Sequence, residues 1–456
     1  MDLTESASYG RVQNVPLSVH ASSLRVLRRG ASGAFIVSVC GTGLGFVANL
    51  VIARVIGRDE YGIYALMFSW ISVLAVMVQA GQDISMIRFV PTYIRNGAWG
   101  KVHGLRRGVG ALVLVISVCV AIVGCVVVNA LGEKHGQTWR DAFYIGFVLL
   151  PIWAQLQLSG ALHRAFKRPV VMGMYQTIAR PLLLIAQMGI FALMLPRVTA
   201  SWAAAATAVT ALLALAGSAF HISKKWPSQA RSAKPEYELR RWVKVGSQLS
   251  LLSIFNVAGN RLDVLILGAL MGSADVGPYY VAVRIASFTL FAQQAINAVL
   301  APMIAELYDA KDIGGLREIT ARASRMGFAG ALAVSVLFTL SGPWILERFG
   351  HDFGVAYVPL LVLLWGFCAA SALGEVGFML SMTKYQKQSV MFVVIGIVVN
   401  CTAAMLLVPR FGATGAAIGA VLLLLVWRVL AWRFVVKHIG VDPSIFGMRR
   451  NVVLQP

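Results

Sequence analysis

The stretch NRLDVLILGALMGSADVGPYYVAVR, residues 260–284, indicates how the whole chain is built. Two apolar segments flank a short polar turn, as in a membrane hairpin, and three charged residues lie within them: Arg261, Asp263 and Arg284. A charged side chain at the centre of a spanning helix costs about 2.5–3.5 kcal/mol on the insertion scale, so it is retained where it faces a partner or water. The hairpin therefore predicts both a membrane fold and the place of a functional site.

The same turn occurs 215 residues earlier in the chain. This offset aligns three pairs of identical residues: Gly57 with Gly272, Gly62 with Gly277, and Tyr64 with Tyr279. A second match, of LMLPRVTASWAAA (193–205) with LLVPRFGATGAAI (406–418), has an offset of 213. Two matches at nearly the same offset indicate a duplicated unit, which is the usual build of secondary transporters.

The composition is that of a polytopic membrane protein. Of the 456 residues, 58% are hydrophobic and 13% are charged, whereas soluble domains carry about 25% charged residues. The net charge of +21 would suggest nucleic acid in a soluble protein, but most Lys and Arg lie in short loops between apolar segments. We expect no nucleic-acid partner and no signal peptide. Residues 16–31 are expected to form either a basic amphipathic helix on the cytoplasmic surface or a disordered tail.

About 20 apolar residues span a bilayer, and the chain contains twelve such segments. They are 32–54, 63–82, 108–130, 142–163, 171–195, 199–221, 246–271, 277–303, 326–346, 355–381, 388–408 and 413–432. We predict an all-α polytopic membrane protein with two pseudo-symmetric six-helix bundles. The predicted regions are a cytoplasmic N-terminal segment (1–31), an N-terminal bundle (32–221), a cytoplasmic linker (222–245), a C-terminal bundle (246–432) and a cytoplasmic tail (433–456).

The loop charges predict the orientation. Alternate loops, counted from the N-terminus, carry 29 Lys and Arg, and the opposite loops carry 6. Because cytoplasmic loops are the basic ones, both termini are expected in the cytoplasm. The equivalent cytoplasmic loops 83–107 and 304–325 mix apolar and charged residues at helical spacing, which is typical of interfacial helices.

Several polar side chains are expected at membrane depth. Asp263 has two interpretations, an ion pair with Arg284 or a functional carboxylate. Glu375 is expected either to neutralise an arginine or to exchange a proton, and Arg428 to reach the cytoplasmic interface. Pro181, directly after Arg180, is expected to kink its helix. The residues predicted to line a central cavity are Arg180, Arg261, Arg284, Asp263, Asn260, Gln155, Gln293 and Asn297.

The cavity is predicted to bind an anion. The 215-residue shift carries Arg261, Asp263 and Arg284 onto uncharged residues, so the scaffold is symmetric but the site is not. A cavity richer in arginine than in carboxylate attracts anions, and the guanidinium fork matches phosphate oxygens. The five cysteines lie inside apolar segments without metal-site spacing, so no metal and no cofactor are expected. Coupling to H+ or Na+ stays open.

These motifs resemble those of a known family. GRDEYGIY (57–64), RLDVLILG (261–268), GSADVGPYYVAVRI (272–285) and FGATGAAIGA (411–420) are similar to the polysaccharide-biosynthesis (Wzx-type) flippases. That family belongs to the multidrug/oligosaccharidyl-lipid/polysaccharide (MOP) exporter superfamily, which also holds the MATE drug exporters and the lipid II flippases. The resemblance implies two six-helix bundles around a cavity whose cationic residues map to Arg180, Arg261 and Arg284.

The resemblance also implies a function. Such a carrier, which is not an enzyme, moves a sugar chain linked by diphosphate to a polyprenyl lipid across the inner membrane. Its expected partners are the lipid-linked sugar, membrane lipids and the machinery for polysaccharide polymerisation and export.

Two alternative functions would require other features of the sequence. A MATE-like, cation-coupled exporter of small molecules would need Asp263 or Glu375 as its titrating group, since residues 32–54 lack the acidic residue that MATE exporters carry in the first span. A membrane polysaccharide polymerase or ligase needs catalytic groups on a substantial outer loop. The largest such loop, GEKHGQTWR (132–140), has one His and no candidate triad.

Overall fold

The computed structural model describes residues 17–131, 135–383 and 385–447, and within these ranges all regular structure is helical. Residues 1–16, part of the outer loop 132–140 and the end of the tail 433–456 lie outside the described residues. The α-helices are α1 (Leu17–Ile56), α2 (Arg58–Gln79), α3 (Gln82–Arg95), α4 (Trp99–Leu131), α5 (Gln137–Ala165), α6 (Pro169–Gly173), α7 (Arg180–Met194), α8 (Ala200–Lys224), α9 (Ser228–Ser232), α10 (Leu239–Met271), α11 (Ser273–Ala286), α12 (Phe291–Asp309), α13 (Ile313–Phe349), α14 (Tyr357–Ser371), α15 (Val376–Ser381) and α16 (Gln386–Ile439).

The predicted all-α membrane fold is confirmed, but the count of twelve spans is not. Among the described residues, ten helices are long and apolar enough to cross a membrane. Predicted spans eleven and twelve both lie in α16, where Gly412 has non-helical angles (φ 53°, ψ −130°). Predicted span eight is divided between α11 and α12 by a 3-10 turn at Ser287–Leu290. The ends of the helices therefore do not coincide with the ends of the apolar segments in these three spans.

The helices pack into two lobes. In the N-lobe (α1–α8), α5 packs against α2, α4 and α8, and α1 packs against α7. In the C-lobe (α10–α16), α16 packs against α10 and α14, and α12 packs against α13. The lobes meet where α2 crosses α11 and where α10 lies against α2 and α3. One continuous cluster of buried apolar side chains runs through this junction and joins the N-lobe to α10, α11 and α14 of the C-lobe.

The crossing of α2 and α11 is built from the repeated glycines. A Cβ on Gly62 would lie 1.8 Å from the carbonyl oxygen of Ser273, and a Cβ on Gly277 would lie 2.5 Å from that of Arg58. Only hydrogen atoms fit between these backbones, so the two helices touch directly. The equivalent turn glycines, Gly57 and Gly272, have φ of 82° and 87°, a region that is essentially restricted to glycine. The repeat therefore has the same backbone conformation in both halves.

The start of α10 is fastened to the N-lobe. The Glu238 carboxylate accepts hydrogen bonds from Tyr93 Oη at 3.1 Å and Lys101 Nζ at 2.5 Å. Trp242, which is fully buried, donates from Nε1 to Tyr93 Oη at 3.0 Å. The hydrogen bond from Lys101 is the main reason that the pKa of Glu238 is lowered. Helix α10 thus begins on one lobe and continues into the other.

Predicted span ten, residues 355–381, is not one continuous helix. It is broken between α14 and α15, where Gly374 has φ of 76°. The carbonyl groups freed by the break have partners: Arg428 Nη1 donates to Ala370 O at 2.9 Å, and Ile445 N donates to Ala372 O at 3.1 Å. A buried backbone carbonyl needs such a partner, so these distant residues permit the break. Glu375 lies at the break, directly before α15.

Candidate functional site: a cationic cluster between the lobes

Arg180 is presented by an irregular segment of the fifth span. Residues Met174–Ala179 form a π-helical turn, so the Arg180 N–H bonds to Tyr175 O, five residues back. The turn leaves Gln176 O free, and Arg180 Nε lies 3.4 Å from it. Pro181 follows at once and has no N–H to continue the regular pattern. Single π-turns are common at functional sites, and this one takes the place of the predicted kink.

Arg261 and Arg284 converge on one tyrosine of the C-lobe. Arg261 Nη1 donates to Tyr280 Oη at 3.4 Å, and Arg284 Nη2 donates to the same oxygen. The two guanidinium carbons lie 5.7 Å and 4.8 Å from the centre of the Tyr280 ring. Tyr280 itself is buried. A single phenol therefore holds two cations from different helices, α10 and α11, close together.

The N-lobe supplies the other wall of this cluster. Tyr61 of α2 meets Tyr280 edge to face, with ring centres 6.1 Å apart, and it donates to Asn49 Oδ1 at 3.0 Å. The Arg180 guanidinium lies 4.6 Å from the centre of the Trp153 ring and interacts electrostatically with Arg284 and Tyr280. The cationic cluster, as we call Arg180, Arg261 and Arg284, thus lies where the lobes meet.

No ion pair neutralises the cationic cluster in the part of the chain that the structure describes. Among the described residues, none of its three arginines has a carboxylate oxygen within 4.0 Å. Each is half-buried, and Arg284 Nε is buried without a hydrogen-bond partner. Asp263, which is only 4% exposed, accepts from Tyr279 Oη at 2.6 Å rather than pairing with Arg284. Asp263 interacts electrostatically with Arg261 without forming an ion pair, so the three arginines outnumber the carboxylates near them.

None of the other predicted cavity residues hydrogen-bonds to an arginine of the cluster in the described ranges. Asn260 is exposed on α10. Gln155 donates to Gly110 O at 2.8 Å inside the N-lobe. Gln293 and Asn297 line a separate cavity of the C-lobe, together with Glu375. The structure thus brings Arg261 and Arg284 together on Tyr280, whereas the hydrogen bonds of Gln155, Gln293 and Asn297 go to other groups.

The C-lobe cavity also contains Arg428, which was expected to reach the cytoplasmic interface and does not. Arg428 is 8% exposed, since its guanidinium caps the broken helix at Ala370 and also donates to Gln293 Oε1 at 3.2 Å. Glu375 accepts from Asn297 Nδ2 at 2.8 Å and interacts electrostatically with Arg428. No ion pair within 4.0 Å joins Glu375 to an arginine in the described ranges.

The sequence analysis missed the aromatic part of the site. Tyr280 lies four residues before Arg284, one helical turn away, and Tyr61 lies within the repeated turn motif. Both tyrosines could have been predicted as part of the site, because a tyrosine hydroxyl accepts a hydrogen bond from a guanidinium N–H where water is absent. The contact of Trp153 with Arg180 had no such local signal, since the two residues belong to different helices.

The fold is similar to that of solved transporters of the MOP superfamily. The structure is similar to a multidrug resistance MATE family transporter of that superfamily in an inward-facing conformation, with a TM-score of 0.76 and 15% identity over 89% of this chain and 98% of the other. It is also similar to the lipid II flippase MurJ in an inward closed conformation, with a TM-score of 0.68 and 12% identity over 88% of this chain and 87% of the other.

The family is narrower than this fold. The chain matches the polysaccharide biosynthesis protein family over residues 27–308, and it belongs to that family, as the sequence motifs predicted. It is 27% identical over 243 residues to the probable flippase AglR of Haloferax volcanii, a match that covers 51% of this chain and 49% of the relative. The chain thus spans about half the length of that curated relative.

Proposed function

We propose that the protein is a flippase, not an enzyme, that moves a polyprenyl-diphosphate-linked oligosaccharide or exopolysaccharide precursor from the inner to the outer leaflet of the cytoplasmic membrane. One observation carries the proposal: Arg261 and Arg284 share one tyrosine at the junction of the lobes, Arg180 interacts with them electrostatically, and among the described residues no ion pair neutralises the three. Family membership and the name of the relative, a probable flippase, support the same class.

The chemistry of the cluster suits a diphosphate. Guanidinium groups donate two parallel hydrogen bonds to phosphate oxygens, and Arg284 Nε has no acceptor within the protein. A buried charged donor without a partner costs more than the about 1–3 kcal/mol of a neutral one, so the site is most stable when an anion occupies it. The tyrosine hydroxyl shared by two of the arginines keeps them together in the meantime without cancelling their charge.

The position of the cluster suits alternating access. Next to the α2–α11 crossing, Arg58 donates from Nε to Ala274 O at 3.2 Å and pairs with Asp275 at 3.5 Å. The cluster lies inward of this closure, so parting of the lobes at the crossing opens it to one side, and parting of the lobes at their other end opens it to the other side. An inside-negative potential favours outward movement of each negative charge by about 2.3 kcal/mol per 100 mV. This mechanism needs no cofactor.

The loop charges complete the proposal. Both termini and the linker between the lobes lie on the cytoplasmic side, and the α2–α11 crossing faces the outside. The flipped lipid-linked sugar is then delivered to the enzymes of polysaccharide polymerisation and export on the outer face.

Alanine substitutions test the proposal. Arg261→Ala and Arg180→Ala are expected to abolish surface polysaccharide and to leave lipid-linked sugar on the inner leaflet, while the protein still inserts at normal levels. Arg410→Ala, which removes an exposed arginine far from the cluster, is the matched control and is expected to behave like the wild type. Normal polysaccharide in both cluster variants would refute the assignment of the cluster.

A cation-coupled exporter of small molecules is the second candidate. It is favoured by two carboxylates, Asp263 and Glu375, that are buried and lack an ion-pair partner within 4.0 Å among the described residues. A deletion strain that becomes sensitive to toxic cations but keeps normal surface polysaccharide would favour this function. In that case Asp263→Asn or Glu375→Gln, rather than the arginine variants, would abolish export.

A further inference from the structure

We propose that the polar cavity of the C-lobe is a second subsite, which holds the sugar of the substrate while the cationic cluster holds its diphosphate. The proposal rests on the flippase function given above and adds the chemistry of the second site. It is carried by the size of the cavity, by its charge balance and by the polar atoms that lack partners around it.

The cavity has the size of a small ligand site. Its volume is about 340 Å³, at the lower end of the range of about 300–1,000 Å³ for such sites. Helices α10, α12, α15 and α16 and the break before α15 enclose it. The residues that matter here are Gln293, Gln294, Asn297, Glu375, Phe378 and Trp427.

The charges around the cavity cancel. Glu375 and Arg428 are both buried and interact electrostatically, and they contribute one negative and one positive charge. An ion of either sign would therefore meet one attractive and one repulsive charge, and would gain little net attraction from the pair. Within the described ranges, no group of three or more His, Cys, Asp or Glu is arranged to hold a metal ion. The cavity is suited to a neutral, polar ligand.

The unpartnered atoms specify what that ligand must offer. Because Gln293 Oε1 accepts from Arg428, the amide nitrogen of Gln293 is the atom without a partner. Because Asn297 Nδ2 donates to Glu375, its oxygen is the atom without a partner. One residue thus needs an acceptor and the other needs a donor. A hydroxyl group is both, and a sugar presents several hydroxyls at fixed spacing.

The apolar side and the position of the cavity agree with a sugar. Trp427 and Phe378 line the cavity and supply the apolar aromatic surface against which the C–H groups of a pyranose ring pack. Asn256, which lines the cavity, lies five residues before Arg261 on α10, a rise of about 7.5 Å. The cavity therefore lies less than two helical turns from Arg261 in depth, where we place the first sugars of the substrate.

The inference is tested by comparing the affinity of the protein for a bare lipid diphosphate with its affinity for the same lipid carrying one sugar. The probes are polyprenyl diphosphate and the same lipid bearing glucose, galactose or N-acetylglucosamine, titrated against the purified full-length protein in lipid nanodiscs. Asn297→Leu is expected to weaken binding of a glycosylated lipid about 3- to 10-fold, the range for one lost hydrogen bond, and to leave binding of the bare lipid unchanged. Gln294→Ala, which changes an exposed residue of the same cavity, gives the same answer if Asn297→Leu fails to fold.

The matched control is Gln187→Leu, which removes another membrane-embedded amide with an unpartnered oxygen, outside the cavity. It is expected to change neither affinity. Equal binding of all lipids by the wild type and both cavity variants means that the cavity holds water, and it overturns the inference while the flippase function stands. If the wild type binds neither the bare nor the glycosylated lipids, the proposed function fails, and the inference with it.

Discussion

The direct contact of α2 with α11 makes a strong prediction for Gly62→Ala. The added Cβ would lie 1.8 Å from Ser273 O, whereas real Cβ atoms essentially never approach closer than 3.0 Å, so the helices must separate by about 1.2 Å. That displacement also lengthens the bond from Arg58 Nε to Ala274 O, which is already 3.2 Å. Overpacking of this kind costs about 1–3 kcal/mol, and the ratio of closed to open lobes is then expected to fall about 5- to 150-fold.

Cysteine accessibility measures this opening. Val276 is fully buried beside the crossing, so Val276→Cys, in a chain whose native cysteines are replaced by alanine, reports access from the outside. Gly62→Ala is expected to increase labelling by a membrane-impermeant maleimide and to decrease flipping, since the outer side no longer seals. Labelling is compared in intact cells and inverted vesicles.

Gly189→Ala is the matched control. Gly189 is helical, and a Cβ there would meet nothing within 4 Å. Its replacement is expected to be neutral or slightly stabilising, because alanine favours the helix by up to about 1 kcal/mol. If Gly62→Ala and Gly189→Ala give the same labelling and the same flipping, the two lobes do not close at this crossing, and the alternating-access reasoning is refuted.

Three further predictions concern stability, each measured by thermal unfolding of the purified protein in detergent. Tyr279→Phe is expected to lower the free energy of unfolding by about 1–3 kcal/mol, because Asp263 loses its hydrogen-bond donor. Adding Asp263→Leu to this variant is expected to restore most of the lost stability. Gly374→Ala is expected to destabilise the protein more than Gly57→Ala, because both glycines have positive φ but only Gly374 has a carbonyl oxygen 2.0 Å from the new Cβ. Equal losses would contradict this. The pKa of Glu238 is lowered by a lysine on α4, so the stability that this carboxylate contributes is present at neutral pH and is lost as the pH falls through that lowered pKa; Glu238→Gln should remove this pH dependence.

The sequence was sufficient for the class, the family and the repeat. Hydrophobic segments of about 20 residues leave few alternatives to membrane-spanning helices. The repeated turns could also be predicted from the sequence, since Gly57 and Gly272 have positive φ in a backbone region that other residues avoid. The repeat also matches Gly62 with Gly277. A sequence comparison could not show that these two glycines contact each other across the lobes.

The exact helices were less readable, because tertiary partners decide where a helix stops. The break in predicted span ten depends on Arg428 and Ile445, which are far away in the chain and satisfy its free carbonyls. Hydropathy records the apolar run and not these partners. The same partnership explains why Arg428 stays buried instead of extending to the interface.

The sequence by itself determined that Arg180, Arg261 and Arg284 lie within apolar segments, and it predicts from their apolar neighbours that all three lie at membrane depth. Only the tertiary structure decided which groups each would meet. A helix can rotate about its axis without changing its hydropathy. The rotation and packing found here bring Asp263 into a hydrogen bond with Tyr279, and Arg261 and Arg284 into hydrogen bonds with Tyr280. The same packing moves Gln293 and Asn297 into a cavity of their own, since side chains at one depth are sorted by the direction in which they point.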